Sequence, residues 1–181
     1  MKVISGLYKG RNLQGFDIDG TRPTMDRVKE SLFGMIQNEL DDSVVLDLFS
    51  GSGNLGIEAL SEGAKFAYLC DHNHKALKVI ESNIQMIGIS NVKVMGMDYL
   101  KCLSFLHDEN ITFDIIFLDP PYQTNYIEKS ICKIEEYSLL KDQGIIICES
   151  DSIDKIVYSD SFTCIKNRNY GDKTIVILRK V

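Results

Sequence analysis

The residues best suited to chemistry in this sequence stand together at Asp119-Pro120-Pro121-Tyr122. They follow Phe113-Asp-Ile-Ile-Phe-Leu118, a β-branched and aromatic run that reads as a buried strand. Pro120 biases Asp119 toward extended geometry, and two consecutive prolines present carbonyls without amide donors on a stiff backbone. A carboxylate beside such a carbonyl can accept both N–H bonds of one amine, and a neighbouring tyrosine can stack on a flat ring. That arrangement suits the exocyclic amine of a nucleobase, whose lone pair is delocalised and must be turned toward an electrophilic carbon for in-line attack. Asp119 would also favour the positive charge developing on the nitrogen. A base presented this way must leave its stack or already be single-stranded. Taken alone, the tetrapeptide serves equally well as a stiff turn between a strand and a helix.

A second chemical segment lies upstream. Val44-Val-Leu-Asp-Leu-Phe-Ser-Gly-Ser-Gly53 runs from an apolar strand into a glycine turn and then a helix. Glycine lets the backbone approach a ligand closely, and free amides at the following helix start favour a negative group. Asp47 at the strand end can accept from an ammonium, so Asp47, Phe49, Gly51, Ser52 and Gly53 form a candidate cofactor loop for a ligand carrying both charges of an amino acid. S-adenosylmethionine is such a ligand. Asp71 stands 20 positions after Gly51, where a carboxylate can take two ribose hydroxyls. Asp98 could accept an adenine amino group, or cap a helix beginning at Tyr99. His72 could lie against adenine, or be a half-exposed polar residue of no special role. Gly51-Ser-Gly-Asn-Leu-Gly56 also satisfies the dinucleotide fingerprint, which keeps an NAD-dependent oxidoreductase as a rival reading. Against that rival, an acid and an aromatic precede the glycines and no second substrate domain follows.

These segments need a frame. Apolar strand candidates at Val44 to Leu48, Phe66 to Cys70, Val92 to Met95, Phe113 to Leu118 and Ile145 to Cys148 alternate with amphipathic stretches. Ala76, Leu77, Ile80, Ile84 and Ile87 recur at helical spacing, as do Ile127, Ile131 and Ile134. The alternation predicts an α/β fold with a mostly parallel sheet. Phe162 to Arg168 and Thr174 to Arg179 flank Asn169-Tyr-Gly-Asp172 and predict an antiparallel C-terminal hairpin. A single domain over 1–181 is expected. Its catalytic core would span 44–181, preceded by an extension over 1–40 made of a β-hairpin and an amphipathic helix marked by Met25, Val28, Leu32, Met35, Ile36 and Leu40.

Composition narrows the classes further. With 181 residues, 44% of them hydrophobic, the chain can bury one core. No window approaches the run of about 18 apolar residues that spans a bilayer, and the start lacks a signal-peptide core, so a cytoplasmic protein with no membrane partner is expected. The five cysteines are widely spaced and never form Cys-x-x-Cys, and the three histidines lack zinc-ligand spacing, so neither disulfides nor a metal is expected. The net charge of −6 hides an asymmetry. Residues 1–30 hold six basic residues (Lys2, Lys9, Arg11, Arg22, Arg27, Lys29) against four acidic, and residues 165–181 hold five against one. The ends can form a basic face on an acidic body, or carry merely solvated charges.

Several segments together resemble a known family, the bacterial 16S rRNA guanine-N2 methyltransferases of the small-subunit type, over almost the whole chain. They are Ile4-Ser-Gly-Leu-Tyr-Lys-Gly-Arg11, Thr21-Arg-Pro-Thr-Met-Asp-Arg-Val-Lys-Glu30, Leu46-Asp-Leu-Phe-Ser-Gly-Ser-Gly53, Gly56-Ile-Glu-Ala-Leu60 and Leu118-Asp-Pro-Pro-Tyr122. The Thr-Arg-Pro-Thr stretch discriminates best. The resemblance implies a seven-stranded, Rossmann-like class I methyltransferase sheet with an N-terminal extension. It also implies S-adenosylmethionine as methyl donor, with S-adenosylhomocysteine as product, and the N2 amine of a guanine in 16S rRNA as acceptor, in the free RNA or in a small ribosomal subunit. Arg22 would lie near the active-site mouth, with Lys9 and Arg11 touching phosphates. Since the glycine loop and Asp-Pro-Pro-Tyr also occur in other amine methyltransferases, adenine N6 or cytosine N4 stays open as the acceptor, as does an RNA-binding module without activity.

Overall fold

The computed structural model describes residues 1–15, 26–121, 125–153 and 156–181. Its elements run α1 (Asp26–Leu40), β1 (Val44–Asp47), α2 (Asn54–Ser61), β2 (Phe66–Asp71), α3 (His74–Ile87), β3 (Val92–Gly96), α4 (Tyr99–Asp108), β4 (Phe113–Leu118), α5 (Tyr126–Glu136), β5 (Leu140–Ser150), β6 (Phe162–Tyr170) and β7 (Lys173–Lys180). The strands form one seven-stranded sheet in the order β3-β2-β1-β4-β5-β7-β6. The five strands from β3 to β5 pair in parallel, and β7 joins β5 and β6 antiparallel. This is the class I methyltransferase sheet with its C-terminal hairpin.

The apolar runs form interior strands because both faces of the sheet are covered, so neither face needs polar residues. Val45, Ile115, Phe117, Ile147 and Ile177 point into a core shared with α1, α2 and Ile80 of α3. Leu46, Ile116, Leu118, Cys148 and Leu178 point into the opposite core, against α4 and α5. Each such fully buried side chain contributes about 1.5–3 kcal/mol. β5 begins at Leu140, five residues before the apolar run that marks it, because its first half is peripheral. Lys141, Asp142 and Gln143 are exposed there, and Gln143 takes a positive φ of 62°.

The N-terminal arms pair antiparallel over a short length, the Val3 amide donating to the Arg11 carbonyl, Gly10 to Val3 and Leu13 to Met1, each at 2.9 Å. One antiparallel bridge, Lys2 with Asn12, joins the two arms. Gly6, at φ 75°, turns the chain against the end of α2, so tightly that a Cβ would fall 1.8 Å from the Ser61 carbonyl oxygen. The amides of Leu7 and Tyr8 then bond to the Ser61 carbonyl and hydroxyl, at 2.7 and 2.9 Å, instead of extending a ladder. Among the described residues, no helix is long and apolar enough to cross a membrane.

Candidate active site

Strand β1 lies between β2 and β4, so the chain leaves its C-terminal end in one direction and leaves that of β4 in the other. A crevice opens at such a switch point. Asp47 ends β1 in register with Phe117 of β4, two residues before Asp119. The sheet thus sets the glycine loop and the Asp119 loop side by side.

Local bonds shape the glycine loop. Gly51 and Gly53 adopt left-handed φ values of 56° and 80°, which side-chain-bearing residues rarely take. The Ser50 hydroxyl donates to the Asp47 carbonyl at 2.7 Å, and the Ser50 amide donates to the Cys70 carbonyl at 2.9 Å. Ser52 is buried. The N-cap Gly53 offers α2 no side-chain oxygen, and the Gly56 amide in its first turn is bonded by Asp47 instead.

Asp47 is the electrostatic centre of this loop. It is 1% exposed, and its Oδ2 accepts from the Gly56 amide at 3.1 Å, whereas its buried Oδ1 makes no hydrogen bond. Burial pushes its carboxyl up to about 7 against the pull of the Gly56 amide, and the charge of Asp71 adds to the rise. The Ser50 hydroxyl and the Phe49 amide pull it down more weakly, without bonding Oδ1.

Asp71 has a structural role that its spacing did not reveal. Its Oδ2 accepts from the Gly51 amide at 2.9 Å and its Oδ1 from Asn73 at 2.8 Å, so it holds the glycine loop from β2. An ionised carboxylate has about four lone-pair sites, which leaves capacity for hydroxyl donors. Asp98 caps α4, accepting from the Leu100 amide at 3.0 Å, and is exposed. His72 is 79% exposed and its Nδ1 lies 3.9 Å from Asp71 Oδ1. Phe49 stacks on Tyr126, with ring centroids 5.9 Å apart and planes 9° apart, and lies 5.3 Å from Tyr99. Tyr99 and Tyr126, which no motif marks, follow β3 and β4 at the starts of their helices. Aromatic residues at such positions were the available signal.

Asp119 is half-buried, Pro120 buried and Pro121 exposed. A small cavity of about 10 Å³, room for about one water, lies at the ends of β4 and β5 and is lined by Asp119, Phe117 and Glu149 together with Leu32 of α1 and Leu55 of α2. Tyr122 and Arg22 lie outside the described residues. Lys9 and Arg11 are exposed in the turn that packs against the C-terminal end of α2.

Two of the terminal basic residues are neither solvated nor part of a basic face. Lys29 is fully buried, its Nζ 2.7 Å from the carboxylate of fully buried Glu58, and it donates to the Lys2 carbonyl and to Asn54 Oδ1, each at 2.7 Å. Glu58 accepts the amides of Ile4 and Ser5 at 2.9 Å. Lys173 is buried against Glu149. Charge counting treats every lysine as surface, and only tertiary packing reveals those that are not. Buried Asn83 ties the loop to the N-terminal arm in the same way. It accepts from the Gln14 amide at 2.8 Å and donates to the Gln14 and Ser52 carbonyls at 3.1 and 3.0 Å. Among the described residues, no group of three or more His, Cys, Asp or Glu could hold a metal ion.

Comparison with known proteins places this geometry. The chain is 40% identical over 152 residues to YlbH of Bacillus subtilis, provisionally described as an rRNA methyltransferase, with 83% of each chain covered. It is 32% identical to ribosomal RNA small subunit methyltransferase D of Haemophilus influenzae, covering 94% of this chain and 89% of that one. The solved structure of Escherichia coli yhhF, provisionally described as a methyltransferase, superposes with a TM-score of 0.88 at 26% identity, over 99% of this chain and 97% of the other. A family model matches residues 1–179, and the chain belongs to that family, described as conserved hypothetical protein 95.

Proposed function

We propose that this protein transfers a methyl group from S-adenosylmethionine to the exocyclic N2 amine of a guanine in small-subunit rRNA. One observation supports the reading above the others. Asp47 bonds the first turn of α2 through one carboxylate oxygen and keeps the other buried and unbonded, on the strand that adjoins the one leading into Asp119. An isolated buried carboxylate oxygen is costly, and a ligand ammonium would satisfy it. The same ligand's carboxylate suits the α2 amides. An amino-acid moiety carries both groups, and a nicotinamide dinucleotide carries no such ammonium. The residues therefore fit S-adenosylmethionine, with Asp71 for the ribose hydroxyls, Asp98 for the adenine amine, and Phe49 and His72 beside the adenine ring. The names of both relatives support rRNA as the substrate, and that of the Haemophilus influenzae protein supports the small subunit's.

Bound S-adenosylmethionine supplies a sulfonium-activated methyl group. Asp119 and the Pro120 carbonyl accept the two N–H bonds of the target amine and turn its lone pair toward that methyl. The Asp119 carboxylate stabilises the charge developing on nitrogen and takes the proton the product amine sheds. Pro120 and Pro121 keep the acceptors rigid, and Tyr122 stacks on the flipped base. Lys9, Arg11 and Arg22 contact phosphates of the folded RNA.

The test is incubation with labelled S-adenosylmethionine and unmodified small subunits, followed by nucleoside mass spectrometry. N2-methylguanosine is expected, and its loss in Asp119→Ala. Methylated adenosine or cytidine as the product would overturn the base assignment. Calorimetric binding of a nicotinamide cofactor, with none of S-adenosylmethionine, would overturn the reaction class.

A further inference from the structure

A second carboxylate stands beside Asp119, at a position no sequence motif marks. The β4–β5 register pairs Phe117 with Ile147 and Leu118 with Cys148, and one step further the same register sets Asp119, just past β4, beside Glu149 on the neighbouring strand, strands lying about 5 Å apart. Side chains alternate along a strand, and Asp119 and Glu149 both line the cavity with Phe117, Leu32 and Leu55. Glu149 is 4% exposed and forms an ion pair with Lys173 of β7, which is equally buried. Taking two charges out of water carries a desolvation cost, and apolar residues of similar size often replace such a pair without loss of stability. This ion pair sets an oriented, acceptor-only group in the wall of the small cavity beside Asp119, the residue that would hold the target amine.

The edge of that base gives the group a use. In guanine, one of the two ring nitrogens flanking the amine carries a hydrogen, N1–H. In adenine and cytosine, the ring nitrogen beside the amine is a bare acceptor. A carboxylate attracts the first and repels the others. Resting on the function proposed above, we propose that Glu149 is the specificity-determining residue of this site. It accepts N1–H of the guanine whose N2 amine is held by Asp119, and Lys173 fixes its orientation from behind.

The probe is rRNA carrying, at the methylated position, either guanosine or 2-aminopurine ribonucleoside, which keeps the 2-amine but has a bare N1. Wild-type protein is expected to favour guanosine by at least about 100-fold in kcat/KM. Glu149→Gln is expected to lose about 10- to 100-fold on guanosine and to narrow the preference below about tenfold, since a glutamine amide can donate to bare N1. Because 2-aminopurine also lacks O6, the narrowing in the variant carries the test. Partial unfolding lowers both substrates together and leaves their ratio unchanged. Should Glu149→Gln fail to fold, the double variant Glu149→Gln/Lys173→Met removes both charges and is read the same way. Equal use of both substrates by the wild type, or a full preference retained in the folded variant, overturns the assignment of Glu149. Absence of N2-methylguanosine from the wild-type reaction overturns the function itself, so the two failures are distinct.

Discussion

Replacing Asp47 with asparagine should make the cofactor-free protein more stable at pH 8 while weakening its hold on S-adenosylmethionine. The carboxyl is displaced from its ordinary 3.8 to about 7 because the folded protein buries its charge. At about 1.36 kcal/mol per pH unit, that displacement corresponds to roughly 4 kcal/mol of folding free energy opposed by the ionised group. The sign follows from proton counting. Between 3.8 and about 7 the folded state binds more protons than the unfolded state, so wild-type stability falls as pH rises through this window and levels off above it. Asparagine does not ionise. It can keep its oxygen on the Gly56 amide, but its NH2 then occupies the unbonded position of Oδ1, at a cost of about 1–3 kcal/mol. The net gain expected at pH 8 is about 1–3 kcal/mol, and it reverses toward pH 4, where the wild-type carboxyl is protonated and the variant is left about 1–3 kcal/mol the less stable. Urea unfolding across pH 4–8 measures it. Calorimetry should show wild-type affinity about tenfold weaker at pH 6 than at pH 8, against a pH-independent affinity about 10- to 100-fold weaker in Asp47→Asn. A variant no more stable at pH 8 than the wild type, with cofactor affinity unchanged, would refute the reasoning.

Other perturbations probe the supports of the site. Lys29→Met leaves the Glu58 carboxylate buried without its cation and should destabilise the fold by about 3–5 kcal/mol in denaturant titration. Lys29→Met/Glu58→Gln should recover part of that loss. Asn83→Ala removes three hydrogen bonds and should cost about 2–3 kcal/mol, with faster hydrogen exchange at residues 51–53 than at β5 and weaker S-adenosylmethionine binding. If Lys9 and Arg11 contact phosphates, Lys9→Ala/Arg11→Ala should lower the slope of log binding constant against log salt by about 1.4, at roughly 0.7 per contact to single-stranded RNA. An unchanged slope would make them ordinary surface charges.

What the sequence determined by itself was whatever repeats along the chain or depends on near neighbours. β1, β2 and β4 were legible because strands covered on both faces read as apolar runs, β3 because Val92 and Val94 alternate with exposed Lys93 at the sheet edge, and α3 and α5 because one buried stripe recurs at helical spacing. The glycine turn and the Asp119-Pro120-Pro121 loop were legible because backbone conformations there demand particular residue types. The start of β5 was not, since exposed Lys141 to Gln143 carry no apolar pattern. Tertiary structure alone decided which charges are buried and what they meet. Lys29 and Glu58 are 29 residues apart, Gln14 and Asn83 are 69 apart, and Glu149 and Lys173 meet only because β7 runs back along β5. Sequence spacing cannot show such pairs, because desolvation, and with it the raised carboxyl of Asp47, depends on the whole shell of packed atoms around a group rather than on its neighbours in the chain.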